Sequence, residues 1–107
     1  MVPRQKKLTP LEYLSQFCPE ATVAFQGLRA AVVKSGPLDR NTCELITLGA
    51  FATARIEEGF KTHARCLLDG GVSPEALRQA VLVTFGATTT FAVALDALNW
   101  IDDLVTK

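Results

Sequence analysis

The sequence lacks an excess of either charge, because its eleven lysine and arginine residues are balanced by eleven aspartate and glutamate residues. Nucleic-acid-binding proteins normally carry a basic surface, so this balance argues against nucleic acid as a partner. A membrane span is not expected either, since the uncharged run over residues 80–95 is too short and too rich in threonine. No apolar run near the N-terminus is typical of a signal peptide. The predicted location is therefore the cytoplasm.

Cysteine and histidine are also scarce, with Cys18, Cys43 and Cys66 joined by one histidine, His63. An odd number of cysteines without paired spacing is not a disulfide framework. Without a second histidine or a Cys-x-x-Cys motif, one chain does not supply the usual set of zinc ligands. The sequence therefore predicts no metal site and gives no sign of another cofactor.

The remaining composition is that of a globular protein, with 107 residues, 49% of them hydrophobic and 21% charged. This length predicts one domain over residues 8–107, preceded by a basic, flexible tail over residues 1–7. Apolar residues recur at helical spacing, and no strand-like alternation persists. The sequence therefore predicts an all-α bundle of about six helices.

Several residues are typical of helix ends. Thr9 and Glu12 have the spacing of a capping box, and Asp39 is placed to cap the third helix. A break is expected at residues 54–55, and residues 88–90 form either a capping turn or a hydroxyl-rich patch. The last helix is predicted to turn four residues inward: Phe91, Leu95, Leu98 and Ile101. The third helix is apolar nearly all round over residues 45–54, so it and the last helix are predicted to contact other subunits.

Glu44 and His63 are the two residues most suggestive of chemistry. Glu44 precedes the break near Arg55 by 11 residues and His63 follows it by 8, so antiparallel helices place them roughly level. A carboxylate beside an imidazole orients the ring for acid–base catalysis, although such a pair can also be structural. Gly59 leaves room either for a substrate or for close helix packing. Cys66 is a displaced nucleophile or a buried structural thiol.

Residues 36–71 carry a family resemblance, which continues less strongly to the C-terminus. The matching patterns are Leu38-Asp39-x-x-Thr42-x-Glu44-Leu45-Ile46 and His63-Ala64-x-x-x-x-Leu68-x-x-Gly71-Val72-x-x-Glu75. They resemble the carboxymuconolactone decarboxylase family, which includes AhpD-like alkylhydroperoxidases. The resemblance implies an all-helical fold in trimers or hexamers, with a pocket between helices and often between subunits.

The resemblance also has two departures. Ile56 and Gly59 occupy the positions of the peroxidase cysteine pair, and a second histidine that the decarboxylases carry near Glu58 is missing. For a decarboxylase, the resemblance implies that His63 protonates a dienolate while Arg65 or Arg55 holds a substrate carboxylate. The expected function is a small-molecule enzyme that uses Glu44 and His63, with the substrate unknown. The alternatives are a non-catalytic oligomer that binds a ligand and a thiol peroxidase that uses Cys66.

Overall fold

A computed structural model describes residues 8–106, which fold into six helices and contain no strand beyond an isolated bridge between Phe85 and Thr89. The all-α prediction is confirmed. The predicted tail at residues 1–7 lies outside the described residues. The helices are α1 (Pro10–Phe17), α2 (Pro19–Lys34), α3 (Arg40–Thr53), α4 (Glu57–Asp69), α5 (Pro74–Leu82) and α6 (Phe91–Val105).

The predicted caps of α1 and α3 are present, and α5 and α6 have caps as well. Thr9 and Glu12 form a reciprocal capping box at α1, and the side chains of Asp39 and Ser73 accept backbone hydrogen bonds at the starts of α3 and α5. Thr90 caps α6 by accepting from the backbone N–H of Val93, so the threonine-rich segment serves as a capping turn. Helix α5 ends at Leu82, and Val83 is its C-cap.

The chain divides into two compact units, the first ending at Pro37 and the second beginning at Leu38. In the first unit, α1 and α2 pack against each other, and Ser15 donates a hydrogen bond to Thr22 across the pair. In the second unit, α3 packs against α4, α5 and α6. The prediction of a single domain over residues 8–107 stays a prediction.

The core of the second unit comes from all four of its helices. Its buried members are Leu48, Ala52, Phe60, Ala64, Leu67, Leu77, Val81, Ala94, Ala97 and Ile101. Phe60 meets Trp100 edge to face, with ring centroids 5.3 Å apart. Burying these apolar side chains is the main force that holds α3 and α4 in register.

The predicted inward face of α6 is wrong in part, since Ile101 is buried and Leu98 packs against the core but Phe91 and Leu95 do not. Phe91 and Leu95 are 61% and 46% exposed, because α6 turns Ala94, Ala97 and Ile101 towards the core instead. These positions also have helical spacing, and their two alanines let α6 approach its neighbours closely. On α3, Ile46 is 59% exposed in the single chain, so the predicted contact of α3 with other subunits stays a prediction.

No helix in the part of the chain that the structure describes has the length and apolar character needed to cross a membrane.

Candidate active site between α3 and α4

A tight turn joins α3 to α4. The Arg55 N–H donates to the Ala52 carbonyl, and the Ile56 N–H donates to the Phe51 carbonyl. This pair of bonds is a Schellman motif, which requires a left-handed residue at its centre. Arg55 takes that conformation, with a φ of 62°. The motif reverses the chain within three residues, so α3 and α4 lie side by side.

The reversal brings Glu44 and His63 into contact. The Nδ1 atom of His63 lies 2.6 Å from Oε2 of Glu44. A carboxylate only accepts hydrogen bonds, so the Nδ1–H of His63 donates to Glu44. The side chains are 27% and 18% exposed respectively, so the pair is partly shielded but reachable by water. The Nε2 atom forms no hydrogen bond with any described residue and is left for another group.

Phe51 supports the ring of His63. The two ring centroids lie 5.1 Å apart with their planes tilted by 41°. Phe51 also occupies the space above Gly59, where an added Cβ would lie 2.5 Å from Cε1 of Phe51. Gly59 therefore allows close packing of α3 against α4, and the space predicted for a substrate is filled by Phe51.

A cavity of about 310 Å³ opens beside the pair. Its walls come from the first turns of α3 and the second half of α4. The lining residues are Arg40, Asn41, Glu44, Thr62, His63, Cys66, Leu67 and Gly70. This volume lies at the small end of the range for ligand pockets, so the cavity suits a small molecule.

The structure brings together some of the predicted site residues and separates others. Glu44, His63 and Cys66 line the cavity, whereas Arg55, Arg65 and Gly59 do not. The assignment of those three residues to substrate binding stays a prediction, and this cavity does not support it. Arg55 occupies the turn at the far end of α3, and Arg65 is an exposed residue of α4.

Arg40 is the arginine that lines the cavity, and the sequence analysis missed it. It lies four residues before Glu44, so the two share a face of α3. That spacing was the available signal. Arg40 forms no ion pair with any described residue, so its guanidinium can meet an anionic group in the cavity.

Cys66 is exposed and lies one helical turn after His63. This exposure corrects the expectation of a buried structural thiol. Cys18 and Cys43 are partly buried, and all three thiols are free. Among the described residues, no group of three or more His, Cys, Asp and Glu side chains is placed to bind a metal ion.

Asp39 affects the electrostatics at the start of α3, where it is the N-cap residue. The backbone N–H of Thr42 donates to its carboxylate at 2.7 Å, and this bond lowers the pKa of Asp39 below its usual value. A second contribution in the same direction comes from the Thr42 side chain. Asp39 therefore stays ionised at neutral pH, where its charge favours the N-terminus of α3.

Comparisons with known proteins agree with this fold. A family model described as the carboxymuconolactone decarboxylase family matches residues 19–103. No curated protein matches the chain, and no solved structure matches it. The family match covers all of α2 to α5 and most of α6, including both residues of the Glu44–His63 pair. The chain therefore belongs to the carboxymuconolactone decarboxylase family.

Proposed function

We propose that this protein is a small-molecule enzyme of the carboxymuconolactone decarboxylase type, in which His63 is the acid–base group and Glu44 orients it. The proposal rests on the 2.6 Å contact between His63 and Glu44 at the wall of an open cavity. Glu44 fixes the ring through Nδ1, so Nε2 is the nitrogen that faces the substrate. One oriented nitrogen is what general acid–base catalysis requires.

The proposed step is decarboxylation of a lactone carboxylate. The bond between the ring carbon and the carboxylate breaks and releases carbon dioxide. Its electron pair moves into the conjugated lactone and forms a dienolate. Protonated His63 then donates the proton from Nε2 to the dienolate carbon and regains a proton from water. No oxidant, reductant or metal enters this balance.

Arg40 is proposed to bind a carboxylate of the substrate. Its side chain lines the cavity and has no ion-pair partner among the described residues. A guanidinium binds a carboxylate in a planar, two-point geometry, which would fix the substrate relative to His63. Asn41, beside it, offers an amide that can donate to the same group.

The test is carbon dioxide release from carboxymuconolactone by the purified protein. Wild type should turn the lactone over, and His63→Ala should lower kcat by about 100-fold or more, since general acid–base catalysis contributes roughly 10²–10⁴-fold. Circular dichroism should show that the variant remains folded. Equal rates for wild type and His63→Ala would rule out this role for His63.

Failure of the wild type to turn the lactone over would favour the non-catalytic reading. In that case the cavity still binds a small ligand, and His63→Ala mainly lowers the melting temperature. A thermal-shift screen of small carboxylates then identifies compounds that bind and raise the melting temperature. A compound that binds without being converted supports the non-catalytic function, and one that is converted is a substrate.

A second candidate function is thiol-dependent peroxide reduction, favoured by the exposure of Cys66 within the same cavity. The Cys66 thiolate would attack one peroxide oxygen and break the O–O bond, giving a sulfenic acid and an alcohol or water. A dithiol would then reduce the sulfenic acid and become a disulfide. Peroxide consumption that needs a dithiol and disappears in Cys66→Ser would support this function.

We also propose that the chain self-associates in the cytoplasm, with the trimer or hexamer implied by the family resemblance. The exposed apolar residues on α3 and α6 support association, since Ile46 and Phe91 are each about 60% exposed.

A further inference from the structure

Helix α4 ends in two glycines, and the backbone requires only the second of them. The Gly71 N–H donates to the Leu68 carbonyl, and the Val72 N–H donates to the Leu67 carbonyl. These bonds form a second Schellman motif, and Gly71 takes its left-handed position with a φ of 95°. Gly70, the C-cap residue, has a φ of −81° and a ψ of 2°, so its backbone does not call for glycine.

The end of α3 shows that a side chain fits at this place in the motif. The C-cap residue there is Ala54, with a φ of −82° and a ψ of −5°, and it precedes the other Schellman turn. A Cβ added at Gly70 would lie 3.3 Å from the carbonyl oxygen of Cys66, which accepts the Gly70 N–H. Ala54 has the same hydrogen bond to the Ala50 carbonyl and nearly the same backbone, yet it carries a Cβ. Local geometry therefore does not explain the glycine at residue 70.

The cavity beside the Glu44–His63 pair offers a reason for it. Gly70 is an exposed residue that lines this cavity. It follows His63 by seven residues, which is about 10 Å along α4. Because α3 and α4 run in opposite directions, the first turn of α3 with Arg40 lies near the Gly70 end. The cavity therefore extends from His63 past Arg40 to Gly70, and a side chain at residue 70 would shorten it.

We infer that Gly70 determines the length of the acid that this site accepts, an inference that rests on the proposed function. Arg40 holds the carboxylate at one end, and the reacting carbon faces Nε2 of His63 at the other. The space beside Gly70 admits a carboxylate that a short spacer separates from a ring. The substrate class is therefore monocyclic acids with such a spacer. A larger residue 70 would restrict the site to acids whose carboxylate is attached directly to the ring.

The charges and surfaces of the lining agree with this substrate class. Arg40 is the one lysine or arginine among the lining residues, and the carboxylate of Glu44 already accepts from His63. The Gly70 end therefore has one permanent cation, which suits one carboxylate. Leu67, which is 4% exposed, gives the cavity an apolar wall against which a ring can pack.

The test measures the binding of benzoate and trans-cinnamate, two rigid acids that differ by a two-carbon spacer. His63 is the only histidine of the chain, so its ring proton gives one NMR signal that follows each titration. Gly70→Val fills the end of the cavity with a stiff side chain. Ala54→Val is the matched control, since it adds the same side chain at the equivalent C-cap outside the cavity.

We expect the wild type to bind both acids. Gly70→Val should raise the Kd for cinnamate by about tenfold or more, as expected for overpacking, and should change the Kd for benzoate by less than about twofold. Ala54→Val should leave both values unchanged. Circular dichroism should show that the variants remain folded. If Gly70→Val unfolds, Gly70→Ala decides, and it should weaken cinnamate binding more than benzoate binding.

The inference is overturned if a folded Gly70 variant binds cinnamate as the wild type does. An equal loss for the two acids, an equal effect from Ala54→Val, or a wild type that binds neither acid would also overturn it. Binding is measured without turnover, so its outcome is separate from that of the lactone assay. A wild type that discriminates as expected but does not decarboxylate the lactone would reject the proposed reaction and keep the role of Gly70.

Discussion

At the residue scale, the site depends on which nitrogen of His63 is occupied. The carboxylate of Glu44 accepts from Nδ1–H and leaves Nε2 directed to other partners. The other residues of the cavity come together because of their positions along two helices. Arg40 and Glu44 share a face of α3, and Cys66 follows His63 by one turn of α4. The geometry therefore places Arg40 at the cavity and Arg55 and Arg65 away from it.

Arg40→Ala tests that assignment. If Arg40 binds a substrate carboxylate, the variant should raise KM by about tenfold, corresponding to ~1.4 kcal/mol of lost binding, while kcat changes less. Arg65→Ala is the matched control, because Arg65 is an exposed arginine on α4 that does not line the cavity. Steady-state kinetics with the lactone provide both values. A larger KM effect from Arg65→Ala would restore the sequence-based assignment.

Gly59→Ala tests the packing that supports the His63 ring. Alanine favours helix by about 1 kcal/mol over glycine, but its Cβ would lie 2.5 Å from the Phe51 ring. Overpacking of this kind costs roughly 1–3 kcal/mol, so we expect a net loss of about 1 kcal/mol in the free energy of unfolding. Urea denaturation measures it.

Gly27→Ala is the control for that substitution, because an added Cβ there meets nothing within 4 Å. It should leave stability unchanged or raise it by up to about 1 kcal/mol. If Gly59→Ala stabilises the protein as much as Gly27→Ala does, the Phe51 ring moves freely and does not hold His63.

At the scale of the helices, local sequence signals predict starts and stops well. The caps at Thr9, Asp39 and Ser73 depend on residues within one turn, so they are visible in the sequence. The contact between Glu44 and His63 was also predictable from the sequence, because one short turn fixes the register of two neighbouring helices. The structure places the two side chains in contact, as expected from counting the residues on either side of Arg55.

The buried faces were harder to predict, since they depend on helices far apart in the chain. Helix α6 has one apolar row that contains Phe91 and Leu95 and another that contains Ala94 and Ala97. Size alone favours the row with larger residues, but close approach to α4 and α5 selects the alanines. Periodicity identifies the rows and does not decide which one faces the core.

The Asp39 cap makes the start of α3 sensitive to acid. Since its folded pKa is lowered, its contribution to stability is fully present above the unfolded value of about 4 and is lost as the pH falls through the folded value. We expect the melting temperature to decrease below about pH 4. Asp39→Asn keeps a capping side chain without this titration, so its melting temperature should fall less steeply over the same range. If the melting temperatures of the two proteins fall equally steeply with pH, Asp39 is not the cause of the acid sensitivity.

At the scale of the whole molecule, the ten buried apolar residues of the core and the complete cavity lining belong to the unit that begins at Leu38. Family membership describes the fold, and a shared fold does not by itself specify a reaction. The proposed chemistry uses residues of the second unit alone.

A protein that starts at Leu38 tests whether the second unit folds without the first. Because it keeps every buried apolar residue of the core, it should retain helical circular dichroism and unfold cooperatively. It should also keep the contact between His63 and Glu44, visible as a downfield Nδ1 proton in NMR spectra that disappears in Glu44→Ala. An unfolded fragment would mean that the first unit completes the core.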